Sequence, residues 1–315
     1  MNPSATILNA VIPVFGIIGL GVLIRKLNWL TEAADKSLMR VCVNVLLPCL
    51  ILDKSLGNPA LSQPSNLLLA PLIGYAVVGC GMFLAGWAGP LHGLREVSEQ
   101  RTFAVSVGLH NYGYVPLPLA LLLFDQATAG VLFLHIIGVE MAMWTLGVMW
   151  LSGGRPGRDW RRLINAPLIA IVVAVVFNAL SWDAGVPPAA GTAIHWLGGC
   201  AIPLALILIG AIMADHLGEF HSANGWRVIT LAVLLRIGVL PVLFLLLAKH
   251  VPMTVEHQRV LVIEAAMPAA VFPVVLAKLY GGDPATAVRV VLGTAAVSLV
   301  TIPLWLKFGM QFVGL

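Results

Sequence analysis

Ten apolar runs dominate the chain, at residues 5–24, 37–55, 66–88, 100–124, 128–151, 165–181, 190–213, 226–248, 258–280 and 285–308. A helix that crosses the hydrocarbon core of a bilayer needs about 20 mostly apolar residues, and each run meets or approaches that length. Together they use roughly two thirds of the sequence, which leaves no room for a soluble catalytic domain beside them. Composition agrees: 59% of the 315 residues are hydrophobic and only 10% are charged, whereas soluble domains are about half apolar and about a quarter charged. Disordered, disulfide-scaffold and nucleic-acid-binding classes are excluded. The chain reads as an all-α integral membrane protein of ten spans whose first partner is the lipid bilayer.

Positive charge gives the orientation. With the N-terminus outside, thirteen of the 18 basic residues fall on the cytoplasmic side: Arg25, Lys26, Lys36, Arg40, Arg95, Arg101, Arg155, Arg158, Arg161, Arg162, Arg227, Lys278 and Arg289. Four fall outside (Lys54, Lys249, Arg259 and Lys307), and Arg236 lies within a span. Such asymmetry places both termini outside a cell membrane, inner or plasma. The N-terminus lacks a basic region ahead of its apolar run, so the first segment is expected to stay as a span. Trp29, Trp87, Trp150, Trp160, Trp182, Trp226 and Trp305 sit near span ends and read as headgroup anchors. Cys42, Cys49, Cys80 and Cys200 lie in apolar stretches and read as small core residues.

The two halves echo each other. Pro48 and Pro203, in similar apolar settings, are 155 residues apart; Pro116 and Pro273 are 157 apart; Asp125-Gln-Ala-Thr and Asp283-Pro-Ala-Thr are 158 apart. Five spans per half is an odd number, so the second half enters from the opposite face and the repeat is inverted. The division is 1–152 and 165–315, joined by a short cytoplasmic linker at 153–164. Inverted repeats are common in secondary transporters, whose sites lie near mid-membrane where broken helices meet.

The fourth run holds His110-Asn-Tyr-Gly-Tyr-Val-Pro-Leu-Pro118, and the ninth holds Met267-Pro-Ala-Ala-Val-Phe-Pro273 at the matching depth. A proline removes a backbone donor and clashes with the preceding turn, costing about 3 kcal/mol inside a helix. Matched prolines predict two interrupted helices that cross. Unwound backbone at that depth must line protein or a wet cavity, and the half-helix N-termini would favour an anion. Asn111 would add an amide that donates and accepts.

Ionisable residues within spans need a reason. Glu264, just before the ninth-run break, either takes up a proton, helps bind a coupling cation such as Na+, or pairs with Arg236 for structure. Arg236 either holds a substrate carboxylate or neutralises a glutamate. Glu140 and His135 share the fifth run and either form a proton path or are structural. His110 and His195 are weaker candidates; Asp53 and Lys54 read as interfacial. Catalytic templates fail: there is no H-E-x-x-H, no G-x-S-x-G and no phosphate loop, so an enzyme or an ATP-driven pump is not expected. Gly281-Gly282-Asp283 reads as a cytoplasmic turn.

These motifs resemble the auxin efflux carrier family, which includes plant PIN-type carriers and bacterial organic-acid transporters. Glu264-Ala-Ala-Met-Pro268, then Phe272-Pro273 and Ala277-Lys-Leu-Tyr280, resemble the family's A-L-P…P…A-K-E-Y pattern, and Asn111 with Pro118-Leu119 resembles its fourth-span asparagine and I-P-L. Ile12-Pro13-Val14 and the stretch 40–52 resemble the first two spans. The resemblance implies a bile-acid sodium symporter-like, elevator-type carrier, often a homodimer. Spans 1, 2, 6 and 7 would form a scaffold; spans 3–5 and 8–10 would form a moving transport unit. Asn111, with Tyr112 and Gly113, would belong to the substrate site, and Pro116, Pro268 and Pro273 would shape the crossover. Ala269 stands where the plant pattern has a polar residue, and the long central loop of plant carriers is reduced to 152–162. Glu264 replaces a glutamine-like position, which suggests proton or sodium coupling. The expected function is secondary transport of a small organic anion without an organic cofactor; the competing reading is a non-transporting sensor or binding subunit on the same fold.

Overall fold

The computed structural model describes residues 3–91, 94, 96–154, 164–216 and 225–315. Arg95, Trp160 and the basic cluster Arg155, Arg158, Arg161 and Arg162 lie outside the described residues. Among the described residues all regular structure is helical, and every apolar run is built from helix. In chain order the α-helices are α1 (Pro3–Lys26), α2 (Glu32–Val41), α3 (Leu47–Ser55), α4 (Pro64–Leu91), α5 (Val97–Gly108), α6 (Pro116–Leu123), α7 (Gln126–Ala142) and α8 (Val148–Leu151). They continue with α9 (Ala166–Ala179), α10 (Pro188–His216), α11 (Gly225–Val233), α12 (Leu240–His250), α13 (Val255–Ala265), α14 (Phe272–Tyr280) and α15 (Pro284–Val313).

Six stretches are long and apolar enough to cross a membrane: Ala5–Lys26, Pro64–Gly89, Gln126–Leu151, Pro188–Asp215, Gly225–His250 and Pro284–Val313. The remaining runs depart from a plain span in ways the sequence explains. The second starts earlier than its apolar stretch, because Glu32, Asp35, Lys36 and Arg40 give α2 a polar face. The sixth, α9, has only 14 residues, about 21 Å at 1.5 Å per residue. The fourth and ninth are each split in two.

Wide π turns, Cys42–Leu46, Met143–Gly147 and Leu234–Val239, interrupt three of the helices without ending them. Pro48 follows the first and Pro241 the third. Proline leaves the carbonyl four residues earlier without its helical donor; for Pro241 that carbonyl is Ile237, and the Trp305 indole N–H donates to it at 2.8 Å. Trp305 therefore departs from the expected headgroup anchor, since its polar edge is committed inside the bundle. Trp29, Trp87, Trp182 and Trp226 remain exposed.

Two helix pairs pack backbone to backbone through glycine. A Cβ on Gly138 would run into the Pro71 carbonyl, joining α7 to α4, and one on Gly210 would run into the Ile18 carbonyl, joining α10 to α1. Without a hydrophobic drive between helices in lipid, small residues at the contact allow the close approach that packing needs. Gly138→Val is therefore expected to cost about 1–3 kcal/mol or more from overpacking, read as a lowered Tm and loss of monodisperse protein in detergent. An unchanged Tm would mean that the α4–α7 contact is looser than this geometry.

The repeated Asp-x-x-Thr segments fold alike. Asp125 caps α7, its carboxylate accepting from the Thr128 N–H and hydroxyl, both at 2.8 Å. Asp283 caps α15 in the same way, accepting from Thr286 N at 2.9 Å and Thr286 Oγ1 at 2.6 Å. Arg259 adds a 2.7 Å bond to Asp125. Burial raises the Asp125 pKa, but the Thr128 donors and the Arg259 guanidinium outweigh it and hold the group below its ordinary value of 3.8. A depressed folded-state pKa means that the cap is fully formed above the unfolded value and lost as pH falls through the folded one. Asp125→Ala should cost about 1 kcal/mol at neutral pH, with the difference in Tm from the parent shrinking below pH 4.

At the opposite end of α1, buried Arg25 donates to the Leu30 carbonyl at 2.8 Å and pairs with Asp35 and, at 3.2 Å, with Asp215. This fastens α1 to α2 and α10. His195 lies 3.2 Å from Asp53, which also pairs with Lys54 at 2.7 Å, and the three form a partly exposed cluster.

Candidate functional site at the crossing of two broken helices

The paired prolines start new helices. Pro116 is the first residue of α6, and Pro273 the second of α14, positions where a missing N–H costs nothing. The chain between α5 and α6, residues 109–115, is therefore non-helical, as is the chain between α13 and α14, residues 266–271. The two breaks lie 157 residues apart at their first residues, matching the proline spacing.

The breaks touch each other. Asn111 N donates to the Pro268 carbonyl at 2.8 Å, and Ala270 N donates to the Leu109 carbonyl at 2.9 Å. His110 and Ala269 thus form an antiparallel β-bridge, the single such bridge among the described residues. Each unwound strand satisfies backbone groups of the other, which deep burial requires. Pro268 suits its place, because it lends a carbonyl and brings no N–H that would need a partner. Ala269 N donates to Thr294 Oγ1 of α15 at 3.1 Å, so a third helix steadies the crossing.

Arg236 answers the question posed by its burial. Its Nε donates to the Met267 carbonyl at 3.0 Å and its Nη2 to the Glu264 carbonyl at 3.2 Å. Glu264 lies in the last turn of α13 and Met267 just beyond it, where a cation meets the negative end of the helix dipole, and the Glu264 carbonyl also accepts from the Met267 N–H at 3.2 Å. The guanidinium is hydrogen-bonded to Glu264 through its backbone carbonyl, and its charge also lies close to the Glu264 carboxylate. Nη1 of Arg236 has no protein partner, and the guanidinium lies over the Phe244 ring at 5.2 Å. An ion removed from water costs several kcal/mol unless compensated, so the cap and the ring contact explain how Arg236 is tolerated here.

Glu264 is fully buried, and its Oε2 lies 3.0 Å from His110 Nε2. The approach falls outside hydrogen-bond geometry: both carboxylate oxygens and both ring nitrogens lack a bonded partner. The Gly108 carbonyl is near enough to act on the His110 ring, again without a well-formed bond. His110, a minor candidate from sequence, thus sits at the centre of the crossing.

Four residues of the fourth-run break lie on its more open flank. Asn111, Tyr112, Gly113 and Tyr114 are all partly exposed, while the residues before and after them are buried. Tyr112 Oη approaches Met143 Sδ at 4.0 Å, and its ring meets His110 edge-on at 6.4 Å. No described contact engages the Asn111 side-chain amide. A Cβ on Gly113 would meet nothing within 4 Å. Phe272, at the start of α14, faces Trp144 with ring centroids 5.7 Å apart.

Glu140 and His135 part company. Glu140 accepts a 2.7 Å bond from Asn165 Nδ2, linking α7 to the start of α9. His135 is fully buried and neighbours His110 and also His257, a residue that the sequence reading passed over. Thr294 was likewise missed. His257 was readable in principle, because it precedes Glu264 by two helical turns and shares its face. Thr294 leaves no such trace, since its role depends on α15 crossing the ninth-run break. Among the described residues no group of three or more histidine, cysteine or carboxylate side chains is arranged to hold a metal ion.

The chain is 27% identical to an uncharacterized transporter of Methanothermobacter thermautotrophicus, over 97% of its own length and 98% of the relative's. It is 23% identical to an uncharacterized transporter of Methanocaldococcus jannaschii, over 95% and 97%. It is also 28% identical to auxin efflux carrier component 7 of Arabidopsis thaliana, over 47% of this chain and 24% of that one. The family model described as membrane transport protein matches residues 6–306. With that match along nearly its whole length, the chain belongs to the membrane transport protein family, and part of it is similar to plant auxin efflux carriers.

Proposed function

We propose that the protein is a secondary carrier of a small organic anion, a carboxylate such as a dicarboxylate or an indole-type acid. The observation that carries this reading is the crossing itself. Two helices, beginning at Pro116 and Phe272, follow the two breaks that meet where Asn111 N bonds the Pro268 carbonyl, and an anion is favoured by such N-terminal ends. The Asn111 amide donates to the carboxylate, Tyr112 and Gly113 flank it, and Pro116, Pro268, Ala269 and Pro273 hold the backbone open.

In this reading the chain crosses a cell membrane ten times as two inverted five-helix repeats, residues 1–152 and 165–315, with both termini outside. The first, second, sixth and seventh spans form a scaffold, dimeric across two copies. The remaining spans carry the crossing from one face to the other as an elevator. Glu264 handles coupling to a proton or a sodium ion. The matching caps at Asp125 and Asp283 and the near-constant repeat spacing support the inverted arrangement.

Counterflow in proteoliposomes tests the proposal. Vesicles loaded with an unlabelled mono- or dicarboxylate should transiently concentrate the same labelled acid. Saturable binding of the acid with no counterflow would favour a sensor or binding subunit built on the same fold.

A further inference from the structure

Three histidines stand in file behind the crossing. His110, His135 and His257 are each fully buried, on three different elements: the fourth-run break, α7 and the first turn of α13. The His110 and His135 ring centroids are 6.4 Å apart, and those of His135 and His257 are 5.8 Å apart. The near end of the file touches Glu264 through the 3.0 Å approach of His110. The far end lies at the edge of the helical bundle, where Thr254 caps α13 and bonds to Asn66 at 2.7 Å.

All six ring nitrogens lack a protein hydrogen-bond partner, as do both Glu264 oxygens. His110 Nε2 and Glu264 Oε2 face each other at 3.0 Å; leaving one buried polar group unpaired costs about 1–3 kcal/mol, so the other six atoms in the row call for an explanation beyond packing. Three structural histidines would each be expected to hold a backbone carbonyl or a side chain, and among the described contacts only His110 meets such groups, the Gly108 carbonyl and the Glu264 carboxylate. Intramembrane chains of glutamate and histidine are suited to passing protons, because imidazole gains a proton on one nitrogen and gives one up from the other.

The charged and titratable surroundings are few. Arg236 lies close to both His110 and Glu264, Tyr112 flanks His110, and Glu140 is held by Asn165. At the far end, Arg259 and Asp125 pair with each other.

We propose that His110, His135 and His257 form a proton-transfer file that connects Glu264 to the edge of the bundle beside Thr254. The proton is then the coupling ion, and it reaches Glu264 without passing through the anion site around Asn111. The file runs beside α13 for about 10 Å, the rise of the seven residues from His257 to Glu264 at 1.5 Å each. On each passage a histidine takes a proton on one ring nitrogen and releases one from the other, so its charge is restored, its tautomer is exchanged until the ring turns back, and Glu264 gains the proton. This inference rests on the reading of Glu264 as the coupling carboxylate, but its test needs no transported substrate.

Infrared difference spectroscopy of the full-length protein in lipid bilayers follows Glu264 directly. The carboxylic acid band that appears after a pH drop and is absent in Glu264→Gln reports its protonation. His135→Gln and His257→Gln should each slow the rise of that band about tenfold or more, with its final amplitude retained. His257 lies in the first turn of α13 and not in mid-helix, so its variant carries the test if His135→Gln does not fold. Unchanged rates in the folded variants would overturn the file, and so would a Glu264 band that never titrates. Anion counterflow persisting in either case would leave the carrier reading standing.

Discussion

Asn111→Ala is expected to lower carboxylate counterflow about ten- to a hundredfold, the loss of one hydrogen bond to a charged group at about 1.5–3 kcal/mol. Folding should survive. The bond that Asn111 contributes to the crossing comes from its backbone N–H to the Pro268 carbonyl, and alanine keeps that donor. The side-chain amide has no described protein partner, so its removal takes nothing from the fold. Asn111→Pro makes the contrast: it deletes the N–H and should disrupt the crossing itself, seen as a lower Tm. Wild-type counterflow in a well-folded Asn111→Ala protein would remove the side chain from the substrate site.

Glu264→Gln should separate coupling from movement. The amide has nearly the shape of the carboxyl group and leaves the Glu264 backbone carbonyl available to Arg236. Counterflow, which needs no net driving force, should persist. Accumulation driven by an imposed pH gradient should disappear. One pH unit supplies about 1.4 kcal/mol per proton, enough for about tenfold accumulation, so the expected change is from about tenfold to none. Accumulation by Glu264→Gln equal to wild type would exclude Glu264 from coupling, and a wild-type response to sodium alone would replace the proton as the coupling ion.

Much of this architecture is written in local sequence. The apolar runs, the paired prolines and the repeated Asp-x-x-Thr caps each depend on residues near one another, so spacing alone reveals them. The helix breaks fall where Pro116 and Pro273 predict them, and Asn111 is on the open flank of the crossing. What was hidden depends on elements far apart in the chain. Arg236 bonds backbone carbonyls 28 and 31 residues away, and a carbonyl is present at every residue, so no pattern marks the partner. Trp305 reads as an interfacial anchor until Pro241 leaves the Ile237 carbonyl free beside it. His135 acquires meaning only when α7, α13 and the fourth-run break are brought side by side, since no helical period links His110, His135 and His257.

In the proposed carrier the crossing holds the substrate and opens to each side of the membrane in turn. Gly113 offers a reporter, because a Cβ there meets nothing within 4 Å and its backbone φ is not in the left-handed region. With Cys42, Cys49, Cys80 and Cys200 replaced by alanine, Gly113→Cys can be labelled in sealed vesicles by a membrane-impermeant maleimide applied outside or trapped inside. The account predicts reaction from both sides, slowed from each by a carboxylate that supports counterflow. Reaction from one side only, unaffected by that carboxylate, would contradict it.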